Sequence, residues 1–241
     1  MSNILKVKCG DKEITIKIQR PSFESVKKGY EEITKIGREE GENEGAKHLY
    51  MTGNVAEANL VNNIVSAEKR YEMIGGQAYR EFMNNKINLY NTCALRVSYA
   101  LNYSTHPIKD MEKQNSGRAY NGNDGHIYYL GVPDIVELLN KNWKALSWDK
   151  STYSQVKDKI RRGCSEDFYK GMTSKMENIH FFEELQSIQR KGIIAMNGTD
   201  DLRHTTLWNG SDFLDTYLEL SPNYLTEPEC TVRDLYFWDL L

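Results

Sequence analysis

The stretch NTCALRVSYALN, residues 91–102, carries the pattern on which the reading of this chain turns. Ala94, Val97 and Leu101 recur at helical spacing with Leu95 and Tyr99 alongside, so the segment reads as a helix buried on several sides. Asn91 or Thr92 offers a side-chain oxygen to an early helical N–H, which sets Cys93 in the first turn. There the unpaired N–H groups and the positive end of the helix dipole favour a thiolate, the nucleophilic form of cysteine. The same N–H groups suit an oxyanion formed when a thiolate attacks a carbonyl. A buried cysteine is otherwise a small hydrophobe. The nucleophile reading therefore requires an imidazole to manage the proton and a third group to orient that imidazole.

Five histidines are available. His48 lies in a charged region, His106 precedes a proline, and His180 stands beside Phe181 and Phe182 on a helix face. His126 and His204 each open a strand-like run, HIYYLGV and HTTLWNG, and are rivals by pattern. His204 follows the apolar strand KGIIAMNG, and two adjacent strands make a rigid base for an imidazole. Asp215 lies far enough beyond it for a strand, a turn at Asn209-Gly210 and a return on a neighbouring strand. Asp212 competes for the same role, although an Asp in NGSD is more simply a turn residue.

Around this centre, Lys6 to Ile18 reads as a hairpin closed by Pro21, with VKC and EITIKI flanking GDK. Phe23 to about Lys69 has a helical composition interrupted at GENEG, residues 41–45, which predicts helix, loop, helix. Gly75 and Gly76 punctuate the chain. A polar loop is expected over Met111 to Gly125 and a strand over His126 to Leu130. Pro133 suits the first turn of a helix in PDIVELLNKNW. Further helices are expected at Thr152–Arg161 and Asn178–Arg190. Then come KGIIAMNG, RHTTLWNG and FLDTYLEL as three strands and Asp234–Leu240 as a closing strand. Helices followed by strands are the α+β pattern, here an N-terminal helical part packed on an antiparallel sheet.

With 241 residues, 39% hydrophobic and 11% aromatic, the chain can bury a substantial core, and one domain over residues 1–241 is expected. A net charge of −3 gives no bulk basic field for nucleic acid or anionic lipid, and the Lys157–Arg162 run reads as a solvated face. No stretch approaches the ~20 apolar residues that cross a bilayer, and the N-terminus lacks the apolar run of a secretory signal. Cys9, Cys93, Cys164 and Cys230 are too widely spaced for a paired zinc motif. A Cys164–Cys230 disulfide stays open.

RPSF at Arg20–Phe23, NTCALRVSYALN, PI at Pro107-Ile108, YYLGV at Tyr128–Val132, KGIIAMNG at Lys191–Gly198 and HTTLWNGSDFLD at His204–Asp215 together resemble, in one order, the fourth family of type VI secretion amidase effectors. The resemblance implies a papain-like cysteine peptidase fold with Cys93 as nucleophile, His204 as general base and Asp215 as orienting acid, and neither cofactor nor metal. It implies cleavage of the peptidoglycan stem between D-glutamate and meso-diaminopimelate, as an interbacterial toxin neutralised in its producer by an immunity protein. Such an effector is made in the cytoplasm, leaves through the secretion apparatus without a signal peptide and acts in the target's periplasm. Arg203 stands where relatives commonly carry Gly, and the segment at about 31–73 is a helical elaboration beyond the family's usual length.

For an acidic stem, Arg96, one turn from Cys93, is a candidate cation, or else it pairs with a carboxylate inside the domain. Trp208 and Tyr128 are candidates to line the groove, or pack in the core. Two other classes remain open: a non-catalytic binding or immunity-type module with a packed Cys93, and a cysteine-dependent acyl transferase or deamidase sharing the same triad.

Overall fold

The glycines set the outline of the N-terminal half. The structure is a computed structural model and describes residues 4–9, 12–17, 20–112, 118–143, 168–170, 172–187 and 189–241. After an antiparallel hairpin, β1 (Ile4–Cys9) and β2 (Lys12–Lys17), come α1 (Phe23–Lys35), α2 (Arg38–Thr52) and α3 (Val55–Ile74). The breaks fall at Gly37 (φ 72°) and Gly53 (φ 67°), in the left-handed region where a Cβ is costly. GENEG is not the expected loop. It lies inside α2, where Gly41 and Gly45 are buried against α3. A Cβ on Gly41 would stand 2.6 Å from the Asn62 carbonyl oxygen, and one on Gly45 would stand 2.9 Å from that of Ala58. Glycines four apart share one helical face, so this pair lets two backbones approach closely rather than breaking the helix.

Three helices follow: α4 (Gly76–Asn84), α5 (Lys86–Leu89) and α6 (Cys93–Asn102). Every residue of α6 is buried. Its polar residues are each bonded: Ser98 Oγ donates to Tyr129 O and accepts from Tyr129 N, and Asn102 Nδ2 donates to Ile127 O. Buried polar groups left unpaired are costly, so these bonds fix α6 against β4 (Ile127–Tyr129). β4 pairs with β3 (Ala119–Asn121), a strand inside the segment expected to be loop; Met111, at the start of that segment, is buried in the core. α7 (Val132–Asn142) begins with Pro133 in its first turn.

The main sheet contains β5 (Phe168–Lys170), β6 (Gly192–Gly198), β7 (Arg203–Trp208) and β8 (Val232–Asp239) in the antiparallel order β5-β8-β6-β7. The expected closing strand is therefore internal, and it pairs with β6 from Gly192↔Asp239 onward. Alternation along β6 sends Ile193 and Ala195 into one core, with α1, α6 and α7, and Ile194 and Met196 into another under α8 (Lys175–Ser187). A third cluster lies among α1, α3, α4 and α6. FLDTYLEL is not a strand. Phe213 makes a single bridge to Trp208, and the chain then turns into α9 (Leu214–Tyr217). The fold class is α+β. The helix expected at Thr152–Arg161, the Lys157–Arg162 run and Cys164 lie outside the described residues.

Candidate active site

Cys93 is the first residue of α6 and is 2% exposed. Asn91 Oδ1 accepts a hydrogen bond from its N–H at 3.2 Å, which anchors the helix start. The Thr92 hydroxyl is not the cap. It accepts from Nη1 of Arg70, on α3, at 2.9 Å.

The His204 imidazole, on β7, adjoins the Cys93 sulfur and acts on its ionisation. On its other side, His204 Nε2 stands 2.9 Å from Asp215 Oδ2, a charge contact rather than an aligned hydrogen bond. Asp215 sits in the first turn of α9, not on a returning strand, and its side chain is fully buried. Asp212 is a turn residue. Its Oδ1 accepts from the Phe213 N–H at 2.7 Å and from Asn223 Nδ2 at 3.3 Å.

Two more groups hold the carboxylate. Arg96 Nη1 and Nη2 donate to Asp215 Oδ1 and Oδ2 at 2.7 and 3.0 Å, and the Tyr30 hydroxyl, from α1, donates to Oδ1 at 2.7 Å. The Arg96 guanidinium lies 5.0 Å from the Tyr30 ring centroid, a cation–π contact. Arg96 is thus the partner of a carboxylate inside the molecule. Trp208 and Tyr128 are both fully buried, Trp208 beneath α8 and Tyr128 in the helical cluster, where its hydroxyl donates to Asp124 at 2.5 Å. His126 packs on Tyr103 at the far end of α6.

The charges are arranged for an ion pair. Burial opposes ionisation of Cys93, but the hydrogen bond and charge of His204, the charge of Arg96 and the Thr205 backbone N–H outweigh it and lower its pKa. Burial likewise opposes the imidazolium, yet the Asp215 and Cys93 contacts raise His204 to about 9. Asp215 is desolvated too, and Arg96 followed by His204 holds it well below the usual carboxylate range. These shifts favour a thiolate on Cys93, an imidazolium on His204 and a carboxylate on Asp215, three charges gathered in one buried cluster.

A cavity of about 330 Å³ opens beside these groups. Its walls include His204, Tyr90, Asn91 and Thr92, the loop at Glu219–Tyr224, and Arg38, Asn62, Asn63, Ser66 and Arg70 from α2 and α3. The Tyr224 ring lies 5.0 Å from the imidazole centroid and shields it. The sequence reading did not single out Tyr30, Arg70 or Tyr224. Tyr30 follows RPSF by one helical face, a weak signal; Arg70 and Tyr224 come from segments with no local motif. Among the described residues, no group of three or more His, Cys, Asp or Glu is gathered as a metal site.

Residues 89–238 match the family described as Type VI secretion system amidase effector protein 4. The chain belongs to that family. As such it is an amidase effector of the type VI secretion class, directed at peptidoglycan. Comparison with curated proteins and with solved structures found no match. The family region of this effector holds Cys93, His204, Asp215 and Arg96, whereas Tyr30 and the α2–α3 wall precede it. No helix among the described residues is long and apolar enough to cross a membrane.

Proposed function

We propose that this effector hydrolyses the D-glutamyl to meso-diaminopimelate bond of the peptidoglycan stem through a papain-like triad of Cys93, His204 and Asp215. The observation that carries this reading is the buried cluster of sulfur, imidazole and carboxylate whose imidazole lines a cavity, joined to membership of an amidase family.

In this mechanism the Cys93 thiolate attacks the stem carbonyl, and the oxyanion forms near the N-terminal N–H groups of α6. Collapse expels the diaminopimelate amine, which takes its proton from His204 and leaves a thioester. His204, now neutral, removes a proton from water. The hydroxide adds to the thioester, the thiolate leaves with the imidazolium beside it, and a free carboxylate is released. Asp215 stays ionised throughout and orients the ring, while Arg96 and Tyr30 hold Asp215.

One amidase domain with the elaboration at about 31–73, delivery by the secretion apparatus, action in the target periplasm and neutralisation by an immunity protein complete the proposal. The test is mass spectrometry of purified peptidoglycan after incubation with wild type and Cys93→Ala. Wild type releases stems ending in D-glutamate, and Cys93→Ala, with an unchanged melting temperature, releases none. Cleavage by Cys93→Ala removes the nucleophile assignment, and new ends at another bond remove the substrate assignment.

A further inference from the structure

Among the described residues, one cation of the cavity wall forms no ion pair with a carboxylate. Arg70 is 7% exposed and lines the cavity wall. Its Nε donates to Ile33 O at 3.2 Å, Nη1 to Thr92 Oγ1 at 2.9 Å and Nη2 to Thr34 O at 3.0 Å. All three acceptors are neutral, and they occupy three of the five guanidinium N–H groups. Arg96, by contrast, is answered by Asp215. Glu42, on the same wall, is engaged by Arg38, and Glu219 is exposed.

Burial, and then the like charge of Arg96, pushes the Arg70 guanidinium down from its ordinary value. Guanidinium remains charged in proteins, so Arg70 is a buried cation with Arg96, a like charge, nearby. The N-terminus of α6, one residue from Thr92, adds partial positive charge at the same place. Burying an unpaired cation is expensive, and an anion arriving with the substrate would relieve that cost.

We propose that Arg70 binds the free carboxylate of the substrate's glutamyl residue, so that the α2–α3 elaboration selects an acidic acyl donor. This rests on the function proposed above. A glutamyl residue has two carboxyl groups; when one forms the scissile amide, the other remains an anion about 5 Å from the scissile carbonyl. Arg70 holds Thr92, the neighbour of Cys93, and both line the cavity, so its guanidinium is on the wall next to the proposed nucleophile. One N–H on each of Nη1 and Nη2 is left to meet it, and charge-assisted bonds of this kind are the stronger ones.

Arg70 also braces the end of α1 against α6, so the test must read selectivity and not rate alone. Two synthetic stems differ solely in whether the glutamyl group carries a carboxylate or a carboxamide. Wild type prefers the carboxylate in kcat/KM by roughly ten- to hundredfold, mostly through KM, as expected for a hydrogen bond to a charged group. Arg70→Gln brings the ratio close to one, and Arg70→Lys, which keeps the charge, retains part of it. A ratio unchanged in Arg70→Gln, with both stems slowed equally, overturns the proposal and leaves a structural brace. Wild type showing no preference overturns it as well, whether or not Arg70→Gln folds. Failure to cut either stem strikes the function proposed above instead. In that event calorimetry with Cys93→Ala decides: tighter binding of the carboxylate stem sustains the Arg70 subsite, and equal or absent binding of both removes it.

Discussion

Arg96→Met removes one charge from the centre of the site while keeping an unbranched side chain of similar bulk. Asp215 loses two hydrogen bonds, at 2.7 and 3.0 Å, in surroundings where the two side chains are 7% and 0% exposed. The carboxylate keeps the Tyr30 hydroxyl and the imidazole, and its strongest neutralising charge is gone. Breaking one side of a buried ion pair costs about 3–5 kcal/mol. For a chain of this length each kcal/mol lowers Tm by about 2–4 °C, so Arg96→Met should melt roughly 6–20 °C below wild type near neutral pH. Because Asp215 is depressed, its contribution is present above the unfolded carboxylate pKa near ~3.9 and fades as pH falls, so the gap should narrow in acid. Differential scanning calorimetry reads both effects. The companion Arg96→Met/Asp215→Leu leaves no orphan charge and should recover most of the loss. A single variant within about 2 °C of wild type, or a double variant less stable than either single, refutes the electrostatic account.

Activity should trace a bell against pH. The acid limb lies below the ordinary thiol value, and the alkaline limb falls near 9, where the raised His204 loses its proton; an alkaline limb near 6.5 contradicts the ion pair. The same raised pKa means that His204 contributes stability below its unfolded value of ~6.5, and this is lost as pH rises towards about 9. Asp212→Asn should leave turnover nearly intact, whereas Asp215→Asn should lower kcat by ~10⁴-fold, and the reverse order would move the third triad role to Asp212. Gly41→Ala presses a Cβ towards the Asn62 carbonyl, so despite better helix propensity it should lower the urea midpoint, with a net loss of about 1–2 kcal/mol; a stabilised variant would disprove the close α2–α3 contact.

Local patterns were legible where one segment sets its own state. The burial of α6, the hairpin at β1 and β2 and the strands around Ile193 and Leu207 follow from spacing alone. GENEG misleads because a glycine pair looks the same whether it ends a helix or lets a second helix come close, and the distinction depends on Asn62 and Ala58, remote in sequence. FLDTYLEL misleads because its apolar residues serve a bridge at Phe213 and then a helical turn, too short to show a period. At the site, Cys93 and His204 carried local signals. Asp215 was placed at the right distance with the wrong geometry, and Arg96 left two roles open that a neighbouring carboxylate decides. Tyr30 reaches the Asp215 carboxylate, and Arg70 the cavity, through the packing together of α1, α3 and α6, which no window of the sequence displays.

The position of β8 bears on how the protein is made. β6, β7 and then Asp215 are all synthesised before β8, so the sulfur, imidazole and carboxylate are in the chain ahead of that strand. The flank of β6 away from β7 stays unpaired until Val232–Asp239 emerges. A nascent chain can therefore hold all three residues of the proposed triad and still lack the strand that pairs with β6, so on the proposed mechanism the site is complete only once β8 has joined the sheet.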